Sequence, residues 1–263
     1  MIDLLIYVIA GAVVGFVSGL FGIGGGVVVV PVLLPVFQAQ GLSMDVAMHM
    51  AIGSSLATIV LTGLSSARAH WRLGNVVLDA LPWLVAGLMA GALLGAQIAA
   101  ALPGDVLRII FALFLLTLAV RMALALEPAP GRIMPRRSIV AVAGLAIGIL
   151  SSLVGIGGGS LVVPFLASVG MAMRNAVGTS AAAGVTIAVA GTVGFIVAGT
   201  GDDALPPLST GYIYWPAVGG IAFASVLLAP LGARVATRLP AVWLRRGFAV
   251  FLVIVGLRLL LMG

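Results

Sequence analysis

The sequence predicts an all-α polytopic membrane protein made of two inverted structural repeats, each a Gly-broken helical hairpin followed by three transmembrane helices. Three observations predict it: an apolar composition, an internal duplication, and the placing of the arginines. Of 263 residues, 62% are hydrophobic and 8% charged, and the mean hydropathy is +1.31. A soluble domain carries about 25% charged residues, so this chain cannot cover a soluble surface. A cytosolic enzyme, a secreted disulfide scaffold and a disordered regulator are excluded. A span takes about 20 apolar residues, and the chain has material for eight or more.

The remaining composition agrees. There is no cysteine, hence no disulfide framework. Two histidines and seven acids make a dedicated metal cage a poor expectation, and no metal or cofactor is predicted. All thirteen basic residues are arginine. They stand between apolar runs, which points to retention of positive loops in the cytoplasm and not to nucleic acid. Met1-Ile2-Asp3 lacks a basic n-region, so no cleaved signal peptide is expected.

The chain is duplicated. Residues 15–31 read GFVSGLFGIGGGVVVVP and residues 148–164 read GILSSLVGIGGGSLVVP. Ser18 aligns with Ser151, Gly22-Ile23-Gly24-Gly25-Gly26 with Gly155-Ile156-Gly157-Gly158-Gly159, and Pro31 with Pro164. Ala51-Ile52-Gly53-Ser54-Ser55 then matches Ala176-Val177-Gly178-Thr179-Ser180, with His49 and Arg174 two residues before each block. Late in each half Gly95, Pro103, Arg108, Phe111 and Arg121 recur 137 positions on. The repeats are therefore 1–126 and 139–263, joined by a linker, 127–138, with three prolines and three arginines.

Each half opens on an apolar stretch longer than one span, interrupted by the glycine cluster. Each glycine weakens a helix by about 1 kcal/mol, so the stretch is read as two pieces, 3–21 and 27–38, and again 139–154 and 160–170. Helices follow at 46–67, 77–101 and 105–126, and at 175–198, 212–238 and 241–262.

Charge orients the halves. If each broken segment crosses once, seven arginines fall on the linker side and six opposite, with no bias. If each enters and returns, eleven fall on the linker side and only Arg108 and Arg258 opposite. The second arrangement obeys the positive-inside rule. It makes the repeats inverted, places the linker in the cytoplasm and puts both termini outside. Inverted repeats with broken helices are the build of many secondary transporters.

The breaks carry the expected chemistry. A glycine run bares backbone N–H groups, and irregular backbone survives at membrane depth only against protein or a wet cavity. A helix restarting there presents free amides and the positive end of its dipole, which is an anion site made of backbone. The candidate substrate-binding residues are Gly22, Gly24, Gly25 and Gly26 with Gly155, Gly157, Gly158, Gly159 and Ser160. Ser54, Ser55, Thr179 and Ser180 add neutral donors, and His49 and Arg174 add charge. No acid falls in mid-span, so an anion suits the inventory better than a cation.

Plainer roles compete at several positions. Gly11, Gly15 and Gly19, and Gly87, Gly91 and Gly95, stand at four-residue spacing, which reads as close helix packing. The hydroxyls can bond their own helix carbonyls, and His49 and Arg174 can mark the membrane interface. No nucleophile–base pair or metal-ligand set appears, so no catalytic residue is named and an enzyme is not expected.

The duplicated glycine motif resembles the signature of the sulfite exporter TauE/SafE family, and the likeness covers essentially the whole chain. It implies a multi-pass permease, of the cell membrane and most simply a bacterial inner membrane, for sulfite, thiosulfate or an organosulfonate. The lipid bilayer and a small anion are the expected partners, nucleic acid is not, and a homo-oligomer is left open. Two rival classes stay open: a cation or metal transporter, binding through carbonyls at Gly22 and Gly155, and a non-transporting membrane assembly factor.

Overall fold

A computed structural model describes residues 2–21, 25–77, 81–124, 136–236 and 238–262. The described chain is helical apart from one small hairpin. The first half holds α1 (Ile2–Phe21), α2 (Gly26–Ala39), α3 (Met44–Arg72), α4 (Leu81–Ala100) and α5 (Gly104–Ala123). The second holds α6 (Arg137–Leu153), α7 (Gly159–Ser168), α8 (Met173–Ala198), β1 (Ser209–Thr210), β2 (Ile213–Tyr214), α9 (Trp215–Ala236) and α10 (Ala241–Leu261). Five of these helices are long and apolar enough to cross a membrane: α3, α4, α5, α8 and α9. The protein is an all-α, multi-pass membrane protein.

Local chemistry sets the boundaries. Ser43 caps α3 by accepting the Val46 N–H at 3.4 Å, and Asp45 sits in the first turn, where the helix dipole favours an acid. Pro103 and Gly104 open α5, and the Gly104 N–H donates to the Asp45 carboxylate at 2.5 Å. Two boundaries differ from the sequence reading. The structure leaves Val77 outside helix, with α4 described from Leu81, and places a hairpin at 209–214 where a helix from 212 was expected. The turns before α9 use left-handed backbone at Gly201 and Gly211 (φ +87° and +54°). Helix cannot continue through such residues.

Contacts along the helices fix their directions. Tyr7, near the start of α1, donates from its hydroxyl to Gln40, just past α2, at 2.9 Å, and its ring packs against Phe37 at 6.3 Å. Ser18, near the end of α1, lies beside Gly25 at the start of α2. So α1 runs in and α2 returns as a hairpin, as the arginine count anticipated. Gly53, Gly63 and the 75–77 segment of the first half face Phe195, Val185 and Gly178 in turn, so α3 and α8 are antiparallel. Gly256 on Ala112 and Leu116, and Arg108 on Leu259, make α5 and α10 antiparallel too. By contrast α1 runs parallel to α9, and α4 parallel to α6.

That last pair of contacts exchanges helices between the halves. Gly11, Gly15 and Gly19 of α1 meet the backbone at Ile221, Ser225 and Ala229, while Gly87 and Gly91 of α4 meet Ala141 and Leu145. The glycines at four-residue spacing are packing positions. The most buried long helix is α3, at the centre of the bundle.

The helix directions also sort charge. Arg68, Arg72, Arg121, Arg136, Arg137 and Arg174 lie toward the linker end, joined there by Arg234, Arg238, Arg245 and Arg246. Arg108 and Arg258 lie at the other end, with both termini of the described chain and with Asp45, Asp105, Asp202 and Asp203. Arg132 and most of the 127–138 linker lie outside the described residues. Arg108 is buried at 4% exposure. It pairs with Asp105 at 3.0 Å and donates to the Leu259 carbonyl near the end of α10. Arg108→Ala leaves that carbonyl buried without its donor, and a loss of about 2 kcal/mol is expected. A lowered thermal midpoint in detergent, without change in the glycine-break region, checks it.

Candidate functional site

The two breaks meet in the interior. A Cβ on Gly26 would lie 2.7 Å from the Gly155 carbonyl oxygen and 2.9 Å from the Ile156 Cα. Gly155 in turn lies against Ile52 of α3 and Val30 of α2, and adopts left-handed backbone (φ +64°) that ends α6 sharply. Ile59, midway along α3, reaches both breaks: its Cδ1 would be 2.8 Å from a Gly26 Cβ and its Cγ2 3.0 Å from a Gly157 Cβ. On the other side Gly184 of α8 faces the Gly158 amide. The middles of the two central helices therefore flank the crossing point.

Each break starts a half-helix without a side-chain cap. The N-cap residues are Gly25 for α2 and Gly158 for α7, and at neither start does a capping side chain accept a backbone N–H. The first ladder bonds come from Val28 and Val29 on the Gly25 carbonyl, and from Leu161 and Val162 on the Gly158 carbonyl. The amides before them have no partner inside the helix, and the positive dipole ends point into the crossing.

Hydroxyls surround this point. Ser55 donates to the Gly155 carbonyl at 2.8 Å. Its repeat counterpart Ser180, 1% exposed, has a buried hydroxyl with no partner, as do Ser160, Ser151 and Ser18. Ser18 lies beside Gly25, and the Ser151 carbonyl takes the Ile156 N–H at 2.9 Å. Buried hydroxyls are almost always hydrogen-bonded, so a group of them around two uncapped helix starts is a donor set suited to an acceptor-rich solute. Ser18 and Ser151 were not named as binding residues from sequence. The signal was present: serine recurs in both halves four residues before the glycine cluster.

The remaining named residues fall in three places. Gly25, Gly26, Gly155, Gly157 and Gly158 are at the crossing, Gly159 is exposed beside it, and Gly22 and Gly24 lie outside the described residues. Ser54 and Thr179 are occupied by backbone: Ser54 accepts the Tyr214 N–H and Thr179 the Val77 N–H, each at 3.0 Å. His49 and Arg174 are not brought to the crossing. His49 is buried near the terminal end of α3, its ring nitrogens 2.5 Å and 2.9 Å from the Asp45 and Ala99 carbonyl oxygens. It lies ten residues from Ile59, about 15 Å along the helix. Arg174 is exposed at the linker end of α8.

The hairpin before α9 adds a group that sequence reading missed. The Tyr212 ring lies 4.9 Å from that of His49, and its hydroxyl donates to Asp202 at 3.2 Å. Burial, helped by the Asp202 charge, raises the Tyr212 pKa above the ordinary phenol value, so the phenol stays a proton donor.

A multi-pass helical protein whose interior holds two meeting helix breaks is built as a membrane transporter, and the comparisons agree. The family model described as sulfite exporter TauE/SafE matches residues 7–259, and the chain belongs to that family. A "Probable membrane transporter protein" of Haemophilus influenzae is 38% identical over 261 residues, covering 98% of each chain. "Probable membrane transporter protein YdhB" of Bacillus subtilis is 28% identical, over 78% of this chain and 82% of its own. "Probable membrane transporter protein MJ0441" of Methanocaldococcus jannaschii is 27% identical, over 85% of this chain and 80% of its own. No solved structure matches the chain.

Proposed function

We propose that this transporter exports small sulfur-containing oxyanions, of the sulfite, thiosulfate or organosulfonate class, by alternating access. The observation that carries the reading is the uncapped start of α2 set against the α6–α7 break, with the break's own uncapped half-helix start at α7, among buried hydroxyls without partners. Ser160 and Ser180 of the sequence reading serve there, together with Ser18 and Ser151, while Ser55 holds the Gly155 carbonyl. Amides and hydroxyls of this kind bind an anion without a lysine or arginine at the site. The family's name supplies the sulfur chemistry.

In this reading the halves 1–126 and 139–263 are inverted repeats. The antiparallel courses of α3 with α8 and of α5 with α10, which are equivalent helices, support it. The linker end, rich in arginine, faces the cytoplasm. An inside-negative potential then drives anions outward by about 2.3 kcal/mol per charge per 100 mV, so export needs no coupling ion. The rival cation reading relied on the break carbonyls. The Gly155 carbonyl is already the acceptor of the Ser55 hydroxyl and lies against Gly26, which favours the anion.

Proteoliposomes at clamped potential test this, with sulfite, thiosulfate, sulfate and taurine as the panel. Flux of a sulfur oxyanion that grows with inside-negative potential supports the reading. A protein that passes none of them, yet is stimulated by sodium or a divalent metal, overturns it. Orientation has its own expected result: single cysteines replacing Gly41 and Asp203 label from outside intact cells, and one replacing Arg136 labels only after permeabilisation.

A further inference from the structure

The segments before α4 and α9 are a matched pair. Gly74-Asn75-Val76-Val77 and Gly211-Tyr212-Ile213-Tyr214 are 137 residues apart, the same offset that relates the late parts of the halves. Gly74 and Gly211 both adopt left-handed backbone (φ +68° and +54°). Each segment docks on the central helix of the opposite half. The Tyr212 carbonyl sits on Gly53 of α3 and the Asn75 carbonyl on Gly178 of α8; a Cβ on either glycine would lie 2.6 Å from that oxygen. Two residues on, the Tyr214 N–H donates to Ser54 and the Val77 N–H to Thr179, both at 3.0 Å. Identical glycine seats and identical hydrogen bonds thus occur twice, once on each side of the crossing of the breaks. Between them Ile59 is 7% exposed.

From this geometry we infer that the two docked segments are the gates of the transporter. The Tyr212–Tyr214 segment closes the site toward the termini, Asn75–Val77 closes it toward the linker, and the described conformation has both closed. The inference rests on the transport reading and gives it moving parts. Each gate is held at its seat by a backbone carbonyl over a glycine and by one N–H to a hydroxyl, and the Tyr212–Tyr214 gate also by the Tyr212 N–H on the Phe195 carbonyl, the Tyr212 hydroxyl on Asp202 and ring contacts with His49, Tyr7 and Phe37. In this inference, release of either seat exposes the crossing to one side only. The segments come from opposite halves, so undocking of one leaves the other seated. The Gly-Ser/Thr pairs of the duplicated motif are then gate seats, Ser55 holds the Gly155 carbonyl, and Ser180 is left to face the anion.

The chain contains no cysteine, so a single Ile59→Cys reporter reads access to the crossing directly. A membrane-impermeant maleimide is added to one face or the other of sealed vesicles, with no substrate present. Gly53→Ala drives a methyl into the Tyr212 carbonyl and is expected to speed labelling from the terminal face only. Gly178→Ala does the same from the linker face only. Ser54→Ala and Thr179→Val, which each remove one hydrogen bond and little packing, give the same sidedness at about fivefold each. They keep the test alive if the wedge variants fold poorly. Labelling that rises from the same face in both seats, or that is unchanged in all four variants, overturns the gates. Sided labelling in a protein that passes no sulfur oxyanion leaves the gates standing and removes the substrate class instead.

Discussion

Gly91→Leu is expected to destabilise this protein severely. A Cβ at Gly91 would lie 2.2 Å from the Leu145 carbonyl oxygen and 2.9 Å from its carbon. Both are backbone atoms of α6, which cannot step aside as a side chain can. Gly87 meets the Ala141 oxygen at 2.1 Å, and from the other helix Gly148 meets the Leu88 oxygen at 2.4 Å. The backbones of α4 and α6 therefore touch along their length, and a leucine must part them. Overpacking costs about 1–3 kcal/mol where side chains can yield, and more is expected here. That is a large share of a stability of about 5–15 kcal/mol. Intrinsic tryptophan fluorescence on heating in detergent, with size-exclusion profiles, reads the result. The matching control is Gly219→Ala on α9, where nothing lies within 4 Å of an added Cβ. It should leave the midpoint unchanged or slightly raised, since alanine is the better helix former by about 1 kcal/mol. A wild-type midpoint for Gly91→Leu would mean that α4 and α6 do not pack as described.

Gly26→Ala is expected to leave a folded protein that transports poorly. Its methyl meets the Gly155 carbonyl oxygen at 2.7 Å, the Ile156 Cα at 2.9 Å and the Ile59 Cδ1 at 2.8 Å. The side chain can turn away, but the two backbone contacts force the breaks apart. Displacing a binding geometry by an ångström costs about 100-fold in rate, and a loss of that order in sulfite flux is the expected result. The neighbouring Gly25→Ala has room, with Val29 and Ser18 atoms no nearer than 3.7 Å and 3.9 Å, and should keep most of the flux. The contrast between adjacent glycines separates a site geometry from a general intolerance of bulk. Equal flux in wild type and Gly26→Ala would remove the crossing of the breaks from the mechanism.

Much of the architecture was legible because it follows from composition and from duplication. Apolar stretches show themselves residue by residue, and the repeated Gly-Ile-Gly-Gly-Gly marks both breaks. The arginines reported the returning course of α1 and α2 because a hairpin changes which end each later loop occupies. The seats at Gly53 and Gly178 were harder to read. A glycine followed by a hydroxyl looks the same whether it awaits a solute or a passing backbone. The segments that occupy those seats, Asn75–Val77 and Tyr212–Tyr214, share position but almost no side-chain chemistry. Docking through main-chain atoms leaves side chains free to differ, so the matched gates carry little signal in residue identity. His49 and Arg174 illustrate the converse. Their parallel placement in the two copies suggested a shared charge, whereas depth in the bundle separates a buried ring from an exposed guanidinium.

The exchange of α1 onto α9 and of α6 onto α4 has a consequence for biogenesis. Ribosomal synthesis delivers Ile2–Phe21 to the bilayer long before Trp215–Ala236 exists, so the glycine stripe of α1 must wait in lipid, or against an insertase, for its mate. Neither half can complete its own bundle. A chain truncated at the linker would be left with orphaned grooves and is expected to be degraded, whereas the two halves made together as separate polypeptides are expected to reassociate.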